Sequence, residues 1–221
     1  SEKDHIDARR ERRLGAIILA SVPEPAPDPA LYADMLVAKA LERLDELLPE
    51  GFLARARFAG FDALSPEVLG ERAGEWLGPL LAGRRDLDLP ANRFAESALA
   101  LLDWNQQQAF SRAAPTHFTS PADTRHAIDY TGDDAPSVEV RVQGLFGLDT
   151  QPMIGATPLL LKLTSPGGRP VQSTRDLPGF WRGSWADVVK DMKGRYPKHR
   201  WPDQPWLEKP SMKTKNAFNR E

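Results

Sequence analysis

The spacing of apolar residues changes at Pro115, and this change constrains the fold more than any other feature of the sequence. Over 28–112, apolar residues recur at helical spacing. After Pro115, short segments alternate apolar and polar residues, most clearly in SVEVRV (137–142), as expected of half-buried antiparallel strands. We therefore predict an α+β fold. An N-terminal helical bundle is followed by a small antiparallel β module, either OB-like or an open sheet, with short helices at its C-terminal end.

Twenty prolines divide the chain into short elements. We expect four regions: short strands within 1–22, a helical domain over 23–112, a mixed β/α module over 113–200, and a loosely ordered tail over 201–221 that contains proline and lysine. In the first region, segments 3–8 and 13–20 are predicted strands.

Two strands alone are marginally stable. The first pair therefore either joins the later β region or belongs to a domain whose front half is missing. The chain begins with Ser1 and continues directly into a charged segment. We expect it to be a fragment of a longer protein.

Local signals place several helix ends. Asp28 and Ser65 each precede a proline, which is typical of a helix start. Asp176 can cap a short helix over 177–183, and Ser184 with Asp187 approximates a capping box for the next helix. Helical stripes predict that two tryptophans, Trp76 and Trp104, are core anchors.

Charge is divided along the chain. Residues 23–110 hold 8 Lys and Arg against 15 Asp and Glu, a net charge of −7, whereas residues 162–201 hold 9 against 3, a net charge of +6. Such a basic segment attracts phosphates, although a solvated surface balanced by its acidic neighbour would have the same charge pattern.

The absence of cysteine fits a reducing compartment, and no apolar run could cross a membrane, so we expect a cytoplasmic protein.

Catalytic motifs are absent from the sequence. It has no GxxxxGK[ST] phosphate loop and no GxSxG nucleophile elbow. The histidines, His5, His117, His126 and His199, lack the spacing of metal ligands. We therefore expect no catalytic residue, no metal site and no cofactor in this chain, and an independent enzyme has no supporting constellation.

Basic and aromatic residues are interleaved between 169 and 201. Basic residues position phosphates, and exposed aromatic faces stack unpaired bases, so the combination fits single-stranded RNA binding. The spacing of Phe180, Trp181 and Trp185 also fits burial in a core, whereas segment 195–201 follows a helix stop and is the better candidate for outside contact. The candidate nucleic-acid-binding residues are Arg169, Arg175, Arg182, Arg195, Tyr196, Lys198, His199 and Trp201.

A family resemblance rests on these same segments. TRDLPGFWRGSW (174–185), GRYPKH (194–199) and WPDQP (201–205) resemble the terminal signature of HrpB-type bacterial ATP-dependent helicases. Shorter segments agree, namely RRERRLGAIIL (9–19), APTH (114–117), IDY (128–130), QGLFG (143–147) and LTSPGGRP (163–170). The sequence departs from the expected pattern at Gly144, where an acidic residue is expected, and at Arg200, where a proline or apolar residue is common.

The resemblance implies a DEAH-type, superfamily 2 parent with two RecA-like domains that acts on RNA with ATP and Mg²⁺. Those domains would precede Ser1, so the family's catalytic motifs have no positions in this sequence. It implies a non-catalytic accessory region that contributes to RNA binding or positioning, with single-stranded RNA and the parent's RecA-like core as partners. The alternative is a protein-interaction or core-docking module that makes no direct contact with nucleic acid.

Overall fold

The computed structural model describes residues 9–23 and 29–220, and the side chains of 29–31 lie outside that description. The predicted strand over 3–8, the predicted cap at Asp28 and His5 therefore lie outside the described residues. The chain forms two units that divide between Ala109 and Phe110, and each is considered by itself.

The first unit contains a β-hairpin and a series of short helices. The strands are β1 (Arg9–Leu14) and β2 (Ile17–Pro23). The helices are α1 (Pro29–Glu42), α2 (Leu44–Leu47), α3 (Phe52–Phe58), α4 (Pro66–Glu71), α5 (Ala73–Leu81), α6 (Ala91–Leu99) and α7 (Trp104–Ala113), which runs past the boundary of the unit.

Trp76 lies in the core of this helical unit, as its stripe predicts. Its indole Nε1 donates to the Leu69 carbonyl at 2.9 Å, and its own carbonyl accepts from the Ser97 hydroxyl. The predicted start at Ser65 is also confirmed, because its Oγ accepts a hydrogen bond from the Val68 amide at 3.3 Å. The sequence pattern therefore correctly predicts both the burial of Trp76 and the start of α4 at Ser65.

The expectation for Trp104 is wrong. Its side chain is 72% exposed, whereas Phe110 on the same helix is buried. Asp103 and Gln106 form a reciprocal capping box at the start of α7, with hydrogen bonds of 2.9 and 2.8 Å. The cap fixes Trp104 in the first turn of α7, and its side chain is directed outward there.

The segment predicted as one strand over 13–20 is instead the turn region of a hairpin. Gly15 has φ +60°, a left-handed conformation that glycine adopts without steric cost, and the chain reverses there. β1 and β2 pair antiparallel, with Arg9 opposite Pro23. Leu14, Ile17 and Leu19 are exposed, so this hairpin presents an apolar surface.

The second unit is built on a sheet. Its strands are β3 (His117–Thr119), β4 (Arg125–Asp129), β5 (Ser137–Arg141), β6 (Met153–Ile154), β7 (Thr157–Pro158), β8 (Leu160–Thr164) and β9 (Pro170–Thr174). Its helices are α8 (Leu177–Arg182), α9 (Trp185–Arg195) and α10 (Lys215–Phe218), and short 3-10 turns form at Val142–Leu145 and Pro205–Leu207. Five strands form one sheet in the order β3-β4-β5-β8-β9, and β6 pairs with β7 as a separate hairpin.

The α+β class is confirmed, but the prediction of a wholly antiparallel module is wrong. The central pair, β5 and β8, is parallel, with Arg141 opposite Thr164. Parallel strands need a long crossover rather than a hairpin, and 142–159 provides it with the 3-10 turn and the β6–β7 hairpin. The sheet is therefore mixed, with the carboxyl ends of β5 and β8 at the same edge.

The helix predictions in this unit are confirmed in part. Asp176 caps α8, and its carboxylate accepts from the Gly179 amide at 2.9 Å. Ser184 makes no capping bond; its hydroxyl donates to the Gln172 side chain on β9 at 2.8 Å instead. A tertiary partner therefore replaces the predicted capping box.

Candidate nucleic-acid interface

The tryptophans of the basic and aromatic block form a buried cluster. Trp181 and Trp185 meet edge to face with ring centroids 5.2 Å apart, and Trp201 lies 5.9 Å from Trp185. Each indole nitrogen donates to a backbone carbonyl, at Leu148, Pro202 and Tyr196 respectively. Trp181 and Trp185 are 2% exposed, which confirms the core interpretation.

The expectation that Trp201 faces outward is wrong. It is 6% exposed, so its ring is not available to stack a base. Phe146 and Phe180 complete the cluster at centroid distances of 5.9 and 6.1 Å from Trp185. Aromatic side chains bury large areas, and the cluster accordingly forms much of the core of this unit.

Arg200 is a buried clamp rather than a surface cation. Its guanidinium donates to the Lys209 carbonyl at 2.9 Å, pairs with the Glu208 carboxylate and lies 3.7 Å from the centre of the Phe218 ring. The Gly147 amide also donates to the Pro205 carbonyl at 2.9 Å. The expectation of a loosely ordered tail is therefore wrong for the described residues 201–220.

The surface at the carboxyl ends of β5 and β8 combines three cationic side chains with a tyrosine and a histidine. We call it the basic edge: Arg141, Arg169, Tyr196, Lys198 and His199. Arg141 ends β5, and the loop 165–169 follows β8 beside it because the two strands are parallel. Segment 196–199 follows α9 and reaches the same edge. Arg141, Arg169 and Lys198 are exposed, whereas Tyr196 and His199 are half-buried.

Tyr196 is fixed against the loop that carries Arg169. The Ser165 hydroxyl donates to the Tyr196 hydroxyl at 3.3 Å and accepts from the Arg169 amide at 3.1 Å. A Cβ at Gly167 would lie 2.7 Å from the Tyr196 hydroxyl, so a side chain at position 167 would displace Tyr196 from this loop. The loop and the end of α9 therefore hold each other in place.

His199 is the residue of the basic edge whose ordinary pKa lies closest to neutral pH. Burial, and secondarily the charge of Arg141, lowers the pKa of His199 below its ordinary value of 6.5. The Tyr196 ring lies at a centroid distance of 6.3 Å and nearly perpendicular to the imidazole. At neutral pH the edge therefore carries the charges of Arg141, Arg169 and Lys198 next to a neutral imidazole.

Three arginines predicted for the site are engaged elsewhere. Arg175 donates to the carbonyls of Asp134 and Pro158, which ties the segment after β9 to the loop before β5 and to β7. Arg182 forms a bidentate pair with Asp149, with N–O distances of 2.6 and 2.7 Å, and this pair lowers the pKa of that carboxyl. Arg195 pairs with Asp191 at 3.1 Å, one turn earlier on α9.

Arg141 was missed as a site residue, although the alternation of SVEVRV contained the signal. Val138 and Val140 are buried, while Glu139 and Arg141 are exposed on the opposite face. The register places Lys162 opposite Glu139, on that same outward face. The alternation of SVEVRV predicts which side chains of β5 face outward. Only the parallel pairing with β8 places Arg141 next to the loop 165–169.

The basic edge carries the side-chain types that bind phosphate. Arginine and lysine side chains and backbone amides bind phosphate oxygens without reading sequence. Among the described residues, no group of three or more His, Asp or Glu side chains could hold a metal ion. No described helix is both long enough and apolar enough to span a bilayer.

Comparison with known proteins gives the family. The sequence model described as the ATP-dependent helicase C-terminal region, HrpB_C, matches residues 76–205. The chain belongs to the HrpB C-terminal family. The match spans both the end of the helical unit and nearly all of the sheet unit.

Individual relatives agree with membership of the HrpB C-terminal family. The chain is 43% identical over 156 residues to the ATP-dependent RNA helicase HrpB of Escherichia coli K12, covering 69% of this chain and 19% of that protein. The crystal structure of the E. coli DExH-box NTPase HrpB superposes with a TM-score of 0.71 at 33% identity, covering 92% of this chain and 27% of that one. A structure of the E. coli DEAH/RHA helicase HrpB gives 0.61 at 32% identity, covering 87% and 26%. The chain thus corresponds to a C-terminal region that is about a fifth to a quarter of the length of these relatives.

Proposed function

We propose that this chain is a non-catalytic accessory region of an ATP-dependent RNA helicase and that its basic edge binds or positions single-stranded RNA. The supporting observation is that Arg141, Arg169 and Lys198 are exposed at one edge of the sheet beside the half-buried ring of Tyr196. Cations that neutralise phosphates supply the affinity, and an aromatic face adds base stacking. Arg175 and Arg182 are then supporting residues rather than contacts, whereas Arg195, in an exposed pair with Asp191, stays a candidate contact.

The parent protein supplies the chemistry in this proposal. A RecA-like core would hydrolyse ATP with Mg²⁺ and pull on the strand, while the present chain would hold RNA near that core in the cytoplasm. The E. coli relative is named an ATP-dependent RNA helicase, and this name supports ATP as the nucleotide and RNA as the nucleic acid in the proposal.

Fluorescence anisotropy with a labelled single-stranded RNA, measured over a range of salt concentrations, tests the proposal. We expect affinity to fall with salt, with a log–log slope of roughly 0.7 for each phosphate contact. The double substitution Arg141→Glu and Lys198→Glu should weaken binding at low salt by roughly tenfold or more and reduce that slope.

The double substitution Arg57→Glu and Arg85→Glu is the matched control, because both are exposed arginines in the helical unit and the number of charges reversed is the same. Binding that is independent of salt, or that the two double variants weaken equally, would rule out the basic edge. Circular dichroism of each variant separates a lost contact from a lost fold.

A core-docking module is the second candidate, and the β1–β2 hairpin favours it. The hairpin exposes Leu14, Ile17 and Leu19, and exposed apolar patches mark interaction sites. A pull-down against the separately expressed helicase core should retain the wild-type chain and lose an Ile17→Asp and Leu19→Asp variant. Equal capture of both proteins would count against docking through the hairpin.

A further inference from the structure

A cleft of about 500 Å³ lies between α9 and the segment 203–206, on a part of the unit that the basic edge does not include. Five of the residues that line it are aromatic or aliphatic, namely Trp181, Trp185, Ala186, Val189 and Trp206. The charged side chains of Arg182, Lys190 and Asp203 also line it. Its volume is in the range of sites that take a small planar ligand. Trp181 and Trp185 belong to the buried cluster, so the floor of the cleft is rigid.

Trp206 forms the outer wall and is fixed in position. It is half-buried, and the guanidinium of Arg182 lies 4.7 Å from the centre of its ring. The bidentate pair with Asp149 holds that guanidinium in place. One wall is therefore a preorganised aromatic plane, which favours a flat aromatic ligand over a flexible aliphatic one.

A basic face of α9 connects the cleft with the basic edge. Ala186, Lys190 and Lys193 follow at intervals of four and three residues, so they lie on one side of the helix. Lys190 pairs with Asp187 at 2.9 Å, but both side chains are about four-fifths exposed, and such a pair exchanges readily for a phosphate. From Lys190 to Tyr196 the helix rises by roughly 9 Å, at 1.5 Å per residue. An extended RNA strand can cover this distance between the cleft and the basic edge.

We propose that this cleft receives one nucleobase of the single strand whose backbone lies on the basic edge, with Lys190 and Lys193 contacting the intervening phosphates. The inference rests on the proposed function and adds a base-binding subsite to it. The cleft stacks the base through the Trp206 wall and the apolar floor, and the side chains of Arg182 and Asp203 lie at the same cleft.

The test compares two labelled strands of equal length, an oligoadenylate and an RNA of the same phosphates that carries abasic riboses. The wild-type chain should bind the oligoadenylate roughly tenfold more tightly, in line with stacking of one base. Ala186→Leu fills the cleft from an exposed helical position, so the fold is retained. It should remove the part of that preference that the cleft supplies, keep the part that Tyr196 supplies, and leave affinity for the abasic strand unchanged.

Ala217→Leu is the matched control, since Ala217 is also an exposed alanine on a helix, α10, and does not line the cleft. It should keep the full preference for the base-bearing strand. Trp206→Ala gives a second measurement and should lower the preference in the same direction as Ala186→Leu.

Three outcomes overturn the inference in distinguishable ways. Salt-dependent binding of both strands, with a preference that Ala186→Leu does not change, refutes the subsite and leaves the proposed function standing. Failure of the folded wild-type chain to bind either strand refutes both. Loss of association with the helicase core in Ala186→Leu, with base preference intact, would identify the occupant as a protein side chain.

Discussion

At the scale of single residues, the environment of a side chain decides its role more than its type does. Arg200 and Lys198 are two residues apart in the basic segment, yet Arg200 is buried among Glu208, Phe218 and a backbone carbonyl, and Lys198 is exposed. Arg200 departs from the family pattern, and its contacts with Glu208, Lys209 and Phe218 fix the C-terminal segment.

Arg200→Ala should lower the free energy of unfolding by about 2 kcal/mol, because it leaves Glu208 and the Lys209 carbonyl without their donor and removes the cation from the Phe218 ring. Arg200→Lys should recover only part of this loss, because lysine lacks the planar fork. Urea denaturation measures both. Arg195→Ala breaks an exposed pair with Asp191 and should cost at most about 0.5 kcal/mol; a similar loss in the two alanine variants would contradict the clamp.

The pH dependence of stability follows from two histidines. Burial lowers the pKa of His126 and of His199 below 6.5, with Arg141 adding to the shift at His199. The unfolded chain therefore takes up protons first as pH falls through 6.5, so the stability present above that pH is progressively lost toward the folded-state pKa values. Carboxyl groups such as Asp129, whose pKa is lowered by hydrogen bonds from Thr131, titrate well below this window.

We expect the free energy of unfolding to decrease between about pH 7.5 and pH 5.5. A His126→Gln and His199→Gln double variant should show a smaller decrease over the same interval. His117→Gln, at an exposed strand position, is the matched control and should behave as the wild type. An unchanged pH dependence in the double variant would show that other groups carry the effect.

At the scale of elements, local patterns predicted where strands and helices lie but not how the strands pair. The alternation of SVEVRV and the cap at Asp176 depend on neighbouring residues, and both predictions hold. The parallel pairing of β5 with β8 depends instead on residues far apart in the chain. Burial of Trp201 likewise depends on its contact with Trp185, which no local pattern contains.

The loop between β8 and β9 tests how two elements hold each other. Gly167→Ala should destabilise the chain by about 1–2 kcal/mol, because the added Cβ would lie 2.7 Å from the Tyr196 hydroxyl. Tyr196→Phe should reduce that penalty in the double variant, although ring carbons at 3.3 and 3.4 Å remain close. Thermal unfolding of the single and double variants measures the coupling.

Gly194→Ala is the contrasting substitution. Gly194 lies near the end of α9 with no atom within 4 Å of a built Cβ, so alanine should stabilise the helix by roughly 0.5–1 kcal/mol. Destabilisation by both glycine substitutions would mean that the contact with Tyr196 is not the cause of the first effect.

At the scale of the whole molecule, the acidic and basic stretches of the sequence fall mostly in different structural units. The stretch 23–110, with a net charge of −7, forms most of the helical unit, and the basic stretch 162–201 lies within the sheet unit. Like charges repel, so the acidic unit should weaken the approach of RNA to the chain at low ionic strength. This effect fades once the Debye length falls to about 10 Å at 0.1 M salt.

A fragment spanning 103–221 separates the contributions of the two units. It begins at Asp103 so that the capping box with Gln106 and the whole of α7 are kept. If the basic edge carries the binding, the fragment should bind single-stranded RNA more tightly than the full chain at low salt, and the difference should shrink as salt is added. Circular dichroism and tryptophan fluorescence establish that the fragment is folded before affinities are compared. A folded fragment that binds more weakly than the full chain at every salt concentration would instead place part of the RNA contact on the helical unit, because loss of an acidic neighbour can only favour a phosphate ligand.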